Sequence, residues 1–294
     1  MGLGDFFKNI FGKKTCAFCG GDCGMMSRTK IKGDEYICSK CDDMCSNFIR
    51  KSRFTKPELE GHMEYMKRLD RIYKEVILPN VQKHECYPSA TQRQGIEFFD
   101  DFGMFRIMDG SRDNKDRYPT ELFRYDQVAS YEPYYEEAEP EEDGKPKVFH
   151  EGGIIIRLVG AQDDTTKMKK GLRAHPYITE EIKVCFATDD REKENYLKYA
   201  ENAIWHFNYI FGVSDNQRGL FGIGMSENEK RDLKAAVAFT KTAFDAVKIA
   251  KNGGEITDEK KDEIMENMYD IDDAQTGGLA KYTRAADSTE AKIN

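Results

Sequence analysis

Apolar positions recur at helical spacing at both ends of the chain and alternate at strand spacing in its middle. Leu3, Phe6, Phe7, Ile10 and Phe11 stand at i, i+3, i+4, i+7 and i+8, which predicts one face of a short helix within residues 1–14. Asp5, Lys8 and Asn9 take the opposite face, and Lys13 and Lys14 follow. A cysteine-rich stretch over residues 15–50 carries no helical period. Thr55 and Pro57 then open a helix predicted over residues 55–79. Leu59, Met63, Met66, Leu69, Tyr73 and Val76 form its stripe, and Pro79 ends it.

From about residue 94 the texture turns to strands. "GIEFFDDFGMFRIM", "ELFRYDQVASYE", "GGIIIRLVG" and "EEIKVCFAT" are short apolar runs separated by charged, turn-rich segments. The segment "YYEEAEPEEDGKPK" between them is acidic and proline-bearing, so it predicts a solvated excursion rather than a site. A helix follows, capped by Asp189 or Asp190, with Tyr196, Leu197, Ala200, Ile204, Phe207 and Phe211 on one face and Trp205 beside them. Such a stripe can close a small antiparallel sheet or barrel, which predicts one β-domain over residues 94–212. "GVSDNQRGLFGIGMS" reads as a glycine hinge; its order fits neither G-x-G-x-x-G nor a Walker motif. Ser226 and Glu229 make a capping box, and helices are predicted over residues 226–270 through Leu233, Val237, Phe244 and Val247, with a restart at Thr257. Residues 271–294 are polar and predict a disordered tail. The fold class expected is α+β, built from several modules.

Charge sharpens this picture. The chain of 294 residues carries a net −8, but residues 1–56 hold +5 and the remainder −13. A basic head suggests an acidic partner, either an anionic membrane surface met by residues 2–12 or a nucleic acid. Gly2 does not start a myristoylation motif, because Phe6 stands where Ser or Thr is needed. No apolar run reaches the roughly 18 residues of a membrane span, and the first residues, lacking a long apolar stretch and a small-residue cleavage site, are not expected to act as a secretory leader. The expectation is a cytoplasmic, reducing location, with membrane association through the head.

Six of the eight cysteines fall within Cys16 to Cys45. Cys16-x-x-Cys19 and Cys38-x-x-Cys41 are separated by eighteen residues, the spacing of a four-cysteine Zn2+ site. Each C-x-x-C turn brings two thiolates to one side with backbone N–H groups aimed at them. "KIKGDEYIC" predicts a hairpin that bends at Gly33-Asp34 and leads into the second turn. A redox pair or an iron–sulfur site would use the same residues. Cys23 and Cys45 exceed the four that zinc needs; small buried residues, substitute ligands and a redox-labile pair are the readings open to them. A four-thiolate zinc site would carry about −2, which trims the basic head, and Phe18, Tyr36 and Phe48 are too few for a base-stacking platform.

No catalytic constellation emerges. His62, His84, His150, His175 and His206 form no H-E-x-x-H, and the neighbours His84 and Cys86 in "KHECYP" do not make a catalytic pair by adjacency alone. No nucleophile elbow or kinase signature is present.

With "GLGDFF" ahead of the cysteines and "GDEYICSKC" as its second half, the head resembles a bacterial family of unknown function whose members begin with a C-x-x-C…DGY-x-C-x-x-C zinc ribbon. The resemblance covers roughly residues 1–50. "GDEYIC" carries one residue more than that pattern, and Cys23 and Cys45 lie outside it. It implies zinc at Cys16, Cys19, Cys38 and Cys41, and a pleckstrin-homology-like domain after the ribbon, matching residues 94–212 in outline. The run "GGEITDEKKDEIMENM" is similar to a short C-terminal helical module associated with oligomerisation. The expected function is a non-enzymatic zinc-binding adaptor with an unidentified protein partner, a head that meets membrane, and self-association through its C-terminal helices; a nucleic-acid-associated regulator is the alternative, and an enzyme of unrecognised type the third reading.

Overall fold

A computed structural model describes residues 14–89, 94–110, 112, 118–138, 148–160, 163, 171–178, 181–188, 190–212 and 278–293. The apolar stripe of residues 2–12, the acidic loop's centre and the helices expected over 226–270 lie outside these residues.

The head is built from two small hairpins. Strand β1 (Lys14–Thr15) pairs with β2 (Asp22–Cys23), and β3 (Arg28–Lys30) pairs with β4 (Tyr36–Cys38), all antiparallel. Gly33 and Asp34 both take positive φ at the second bend, as the sequence predicts. A four-residue helix α1 (Ser39–Asp42) follows. Helix α2 (Lys56–Arg71) starts at Thr55 as predicted, on a capping box: the Thr55 backbone N–H donates to Glu58 Oε2 at 2.7 Å. It widens into a π-helical turn over Ile72–Ile77 and ends with Leu78–Asn80, so Pro79 sits in the last turn rather than beyond it. The wider turn brings Ile72, Val76 and Ile77 inward together.

Two antiparallel sheets make the body. The first is a four-stranded meander of β5 (Glu85–Pro88), β6 (Gln94–Phe99), β7 (Met104–Asp109) and β8 (Phe123–Arg124). The second is a three-stranded meander of β9 (Val128–Ala138), β10 (Val148–Leu158) and β11 (Glu181–Ala187). The run "ELFRYDQVASYE", expected as one strand, is broken at Tyr125–Gln127 by a 3-10 turn, and its halves belong to different sheets. The corner forms because Arg124, Asp126 and Gln127 find partners there: Gln127 Oε1 accepts from the Arg124 backbone N–H, and the Arg124 guanidinium grips Asp126 at 2.8–2.9 Å. Helix α3 (Asp190–Phe211) crosses both sheets. Its Phe207 is fully buried, with ring centroids 5.0 Å from Phe98, 5.4 Å from Phe105 and 4.9 Å from Tyr131.

The tail is corrected by the structure. Leu279–Ala291 is not disordered but forms helix α4, with Leu279, Ala280, Tyr282, Ala286 and Thr289 buried. Small residues let it approach closely. At Gly103, where φ is +64°, an added Cβ would fall 2.0 Å from the Tyr282 carbonyl oxygen. Tyr282 stands edge-on to Tyr125 at 5.2 Å. Arg124 reaches Asp287 at 2.8 Å and Glu290 at 3.0 Å, and Arg173 holds Asp287 at 2.9 Å. Polar composition signalled disorder; the charges are instead consumed by arginines far away in sequence.

One apolar core joins head and body. Cys16, Cys23, Ile31, Ile37, Cys45 and Ile49 of the head belong to the same buried cluster as Leu59, Phe105, Phe123, Ile156, Phe186 and Phe207.

Candidate metal centre

The first cysteine turn is fixed by its backbone. The Gly20 N–H donates to the Cys16 carbonyl at 3.0 Å, and the Cys16 N–H donates to the Gly21 carbonyl at 2.8 Å. Gly20 has φ +70°, a conformation glycine enters without strain. The Ala17 N–H donates to the Tyr36 carbonyl at 2.8 Å, which lays this turn against β4 and hence against Cys38. The second turn continues β4 into α1, so Cys38 and Cys41 lie one helical turn apart.

The two turns interleave. Cys16 Sγ lies 3.7 Å from Cys41 Sγ, and Cys19 Sγ lies 3.6 Å from Cys38 Sγ. All four sulfurs fall within 4.8 Å of one another. A tetrahedron with metal–sulfur bonds of about 2.3 Å has sulfur–sulfur edges of about 3.8 Å, so these thiols fit a tetrahedral zinc ion. No other group of three or more metal-ligating side chains occurs among the described residues.

The electrostatics favour at least one thiolate. Burial resists ionisation of Cys16, but backbone N–H groups of Cys19, Cys38 and Phe18 outweigh it and lower the thiol to about 6. Its Sγ accepts from the Cys38 N–H at 3.4 Å. Burial and the neighbouring thiols push Cys41 up, as expected when four acidic groups compete for charge at one point. A cation placed among them would relieve that competition.

Cys23 and Cys45 stand apart from the four. Both are fully buried free thiols, and burial pushes each up to about 11. Each is within weak hydrogen-bond reach of a backbone carbonyl, Gly21 for Cys23 and Cys41 for Cys45. Both belong to the apolar core cluster, as small buried residues do, and the Cys23 thiol also feels the neighbouring Cys16.

Beyond Cys45 the chain enters a polar seam against the body. Ser46 donates its backbone N–H to His62 Nε2 at 3.0 Å and its hydroxyl to Glu121 Oε2 at 2.7 Å. The Arg112 guanidinium takes the carbonyls of Asp43 and Cys45 at 2.9–3.1 Å. Phe48 stands edge-on to Phe123 at 5.9 Å, and Asn47 donates to Asp109 at 2.9 Å. His62 and His175 are both buried beside Tyr177: His62 lies 4.7 Å from its ring, and His175 Nδ1 accepts from the backbone N–H groups of Tyr177 and Ile178. Burial lowers His62 to about 4 and His175 to about 3, so both are neutral at pH 7. Burial pushes the Glu121 carboxyl up to about 7.

Sequence reasoning names His62 and His175 only as histidines outside any motif, and does not single out Ser46, Arg112 or Glu121. His62 sits one place before Met63 in the predicted stripe, and its inward position was the one available hint. The other histidines scatter. His84 pairs with Glu97 at 3.1 Å, while Cys86 Sγ faces Met108 Sδ at 3.7 Å. His206 stacks on Phe98 and meets Asp100 at 3.0 Å, where the Tyr125 hydroxyl also donates.

Residues 15–62 match the family model of a domain of unknown function, DUF4428. The match takes in the four thiols and runs into α2 as far as His62, so it spans Ser46 as well. Comparison with curated proteins and with solved structures gives no match.

Proposed function

We propose that this chain is a non-enzymatic, zinc-binding adaptor whose ribbon head is fixed onto a pleckstrin-homology-like body. The observation that carries it is the set of four sulfurs at tetrahedral separation on two interleaved turns. Four protein thiolates fill the coordination sphere of zinc and leave no position for substrate, which is the arrangement of structural sites. The body's outline supports the second half: antiparallel meanders of four and three strands, crossed by one helix whose Phe207 fills the space between them.

Contact with an anionic membrane is the second part of this reading, and one observation favours it. Residues 1–13 join the head at Lys14, whose register partner is Cys23. Two residues further on, Met25 and Met26 are 41% and 94% exposed. Lys14 and Arg28 both stand over the Tyr36 ring, at 5.7 and 4.8 Å. Exposed methionines and two cations thus stand close in sequence to the apolar residues 2–12 that precede Lys14. No described helix is long and apolar enough to cross a membrane, so contact would be interfacial.

Flotation of the full chain with anionic vesicles tests this reading. Binding that is lost in Phe7→Glu and weakened in Met26→Glu, with zinc content unchanged, supports it. Wild-type protein that stays with the soluble fraction removes the membrane part, and salt-sensitive retention of DNA or RNA by the head would favour the nucleic-acid alternative.

A further inference from the structure

Helix α1 has only four residues, too few to hold its own shape, yet it stands between Cys38 and Cys45 and carries Cys41. What fixes it is the segment that follows. The N–H groups of Asp43, Met44 and Cys45 turn back onto Ser39, Cys41 and Asp42, which continues the turn to Cys45 and leads into residues 46–48. Those residues are then held from the body side. Arg112 takes two carbonyls at the end of α1, where cations are favoured. Ser46 is held at both its backbone and its hydroxyl, by His62 and Glu121. The hydroxyl also accepts from the Phe48 N–H at 2.9 Å. Glu121 retains some exposure as a residue, but its Oε1 is buried without a hydrogen-bond partner, so its carboxyl depends on Ser46.

We infer that Ser46, His62, Glu121 and Arg112 are positioning residues for the metal centre: they hold residues 43–48 so that Cys38 and Cys41 stand at ligating distance from Cys16 and Cys19. This inference rests on the zinc reading above. It has a consequence in the opposite direction. Binding coupling is reciprocal, so if docking of the seam strengthens metal binding, metal binding tightens the seam by the same factor. The head then reports its metal state to the body through residues 43–48, and loss of zinc loosens the face where Ser46, Phe48, His62 and Phe123 meet.

Two measurements on the full chain test this. The first is zinc affinity by competition with a chromophoric chelator at pH 7.5. Ser46→Ala and Arg112→Ala should each weaken zinc at least fivefold, although neither touches a thiol. Glu121→Gln gives the same test if Ser46→Ala does not fold. Arg173→Ala, which loosens the distant α4 contact, should leave zinc affinity at the wild-type value. That control separates positioning from general destabilisation. The second is hydrogen exchange before and after chelation. Amides of residues 43–48 and 60–66 should exchange faster without zinc, while those of β10 and β11 keep their protection. Wild-type affinity in both Ser46→Ala and Arg112→Ala overturns the inference, as does equal weakening by Arg173→Ala. A wild-type chain that takes up no zinc overturns the metal reading itself, and the inference with it.

Discussion

The head and helix α4 are both attached to the same β-body, yet different forces hold them. The head is organised around four sulfurs whose partners lie within twenty-six residues of sequence, and its shape follows from two local turns and a hairpin. Helix α4 has no such local device. It is placed by Tyr282 against Tyr125, by the glycine that lets it approach, and by Arg124, which lies more than 160 residues away from Asp287 and Glu290. The lesson is about range: a metal site converts sequence spacing into structure, whereas a docked helix depends on partners that only the finished fold supplies.

The largest effect should come from breaking the local device. Cys16→Ser or Cys38→Ser should abolish stoichiometric zinc and unfold the head, because structural zinc contributes on the order of 10 kcal/mol to small modules. Because head and body share a core, the body's melting temperature should fall as well. Calorimetry that shows an unchanged body transition would mean that the two are independent.

Truncating the body's centre comes next. Phe207→Ala should cost roughly 3–5 kcal/mol, the usual cost of removing a buried aromatic ring. Denaturant unfolding measures it, and an unshifted midpoint would mean that α3 does not close the sheets.

The other attachment is tested at Arg124. Arg124→Met leaves Asp126, which is fully inside, without its main cation, and leaves Asp287 to Arg173 and Glu290 to Arg68. Breaking a buried pair in this way costs roughly 3–5 kcal/mol. Faster hydrogen exchange confined to α4 and the Tyr125–Gln127 corner is the expected signature, with zinc retained. Asp287→Ala touches a half-exposed partner and should cost far less, on the order of 1 kcal/mol.

A smaller, graded effect follows from pH. His62 and His175 have lowered values in the folded chain, so their contribution is complete above about 6.5 and is lost as pH falls towards 4 and then 3. Glu121 acts oppositely: its raised value means that stability contributed by the protonated acid is lost as pH rises from about 4.5 to about 7. The two histidines outnumber the one carboxyl, so stability should still rise between pH 5 and 6.5. Replacing His62 with Gln should flatten that rise by close to one proton, and an unchanged slope would place His62 outside the titrating set.

How much of this was legible beforehand follows the same divide. The four thiols, the Gly33–Asp34 bend, the helix start at Thr55 and Pro57 and the inward face of Phe207 are all written in spacing or period, and all occur in the structure. The break in "ELFRYDQVASYE" was not legible, because a corner stabilised by Arg124, Asp126 and Gln127 leaves the alternation of apolar residues undisturbed. Helix α4 was hidden because its buried face is mostly alanine, threonine and one tyrosine, and its acidic residues read as solvated. The seam at Ser46, His62 and Glu121 was hidden for a related reason: each is an ordinary polar residue until the other two are brought to it.

The most direct test of the account is the metal itself. Protein purified without chelator should contain one zinc per chain by elemental analysis, and X-ray absorption at the zinc edge should show four sulfur neighbours at about 2.3 Å. Substoichiometric metal, an iron chromophore, or a first shell containing nitrogen or oxygen would contradict the four-thiolate centre on which the proposed function rests.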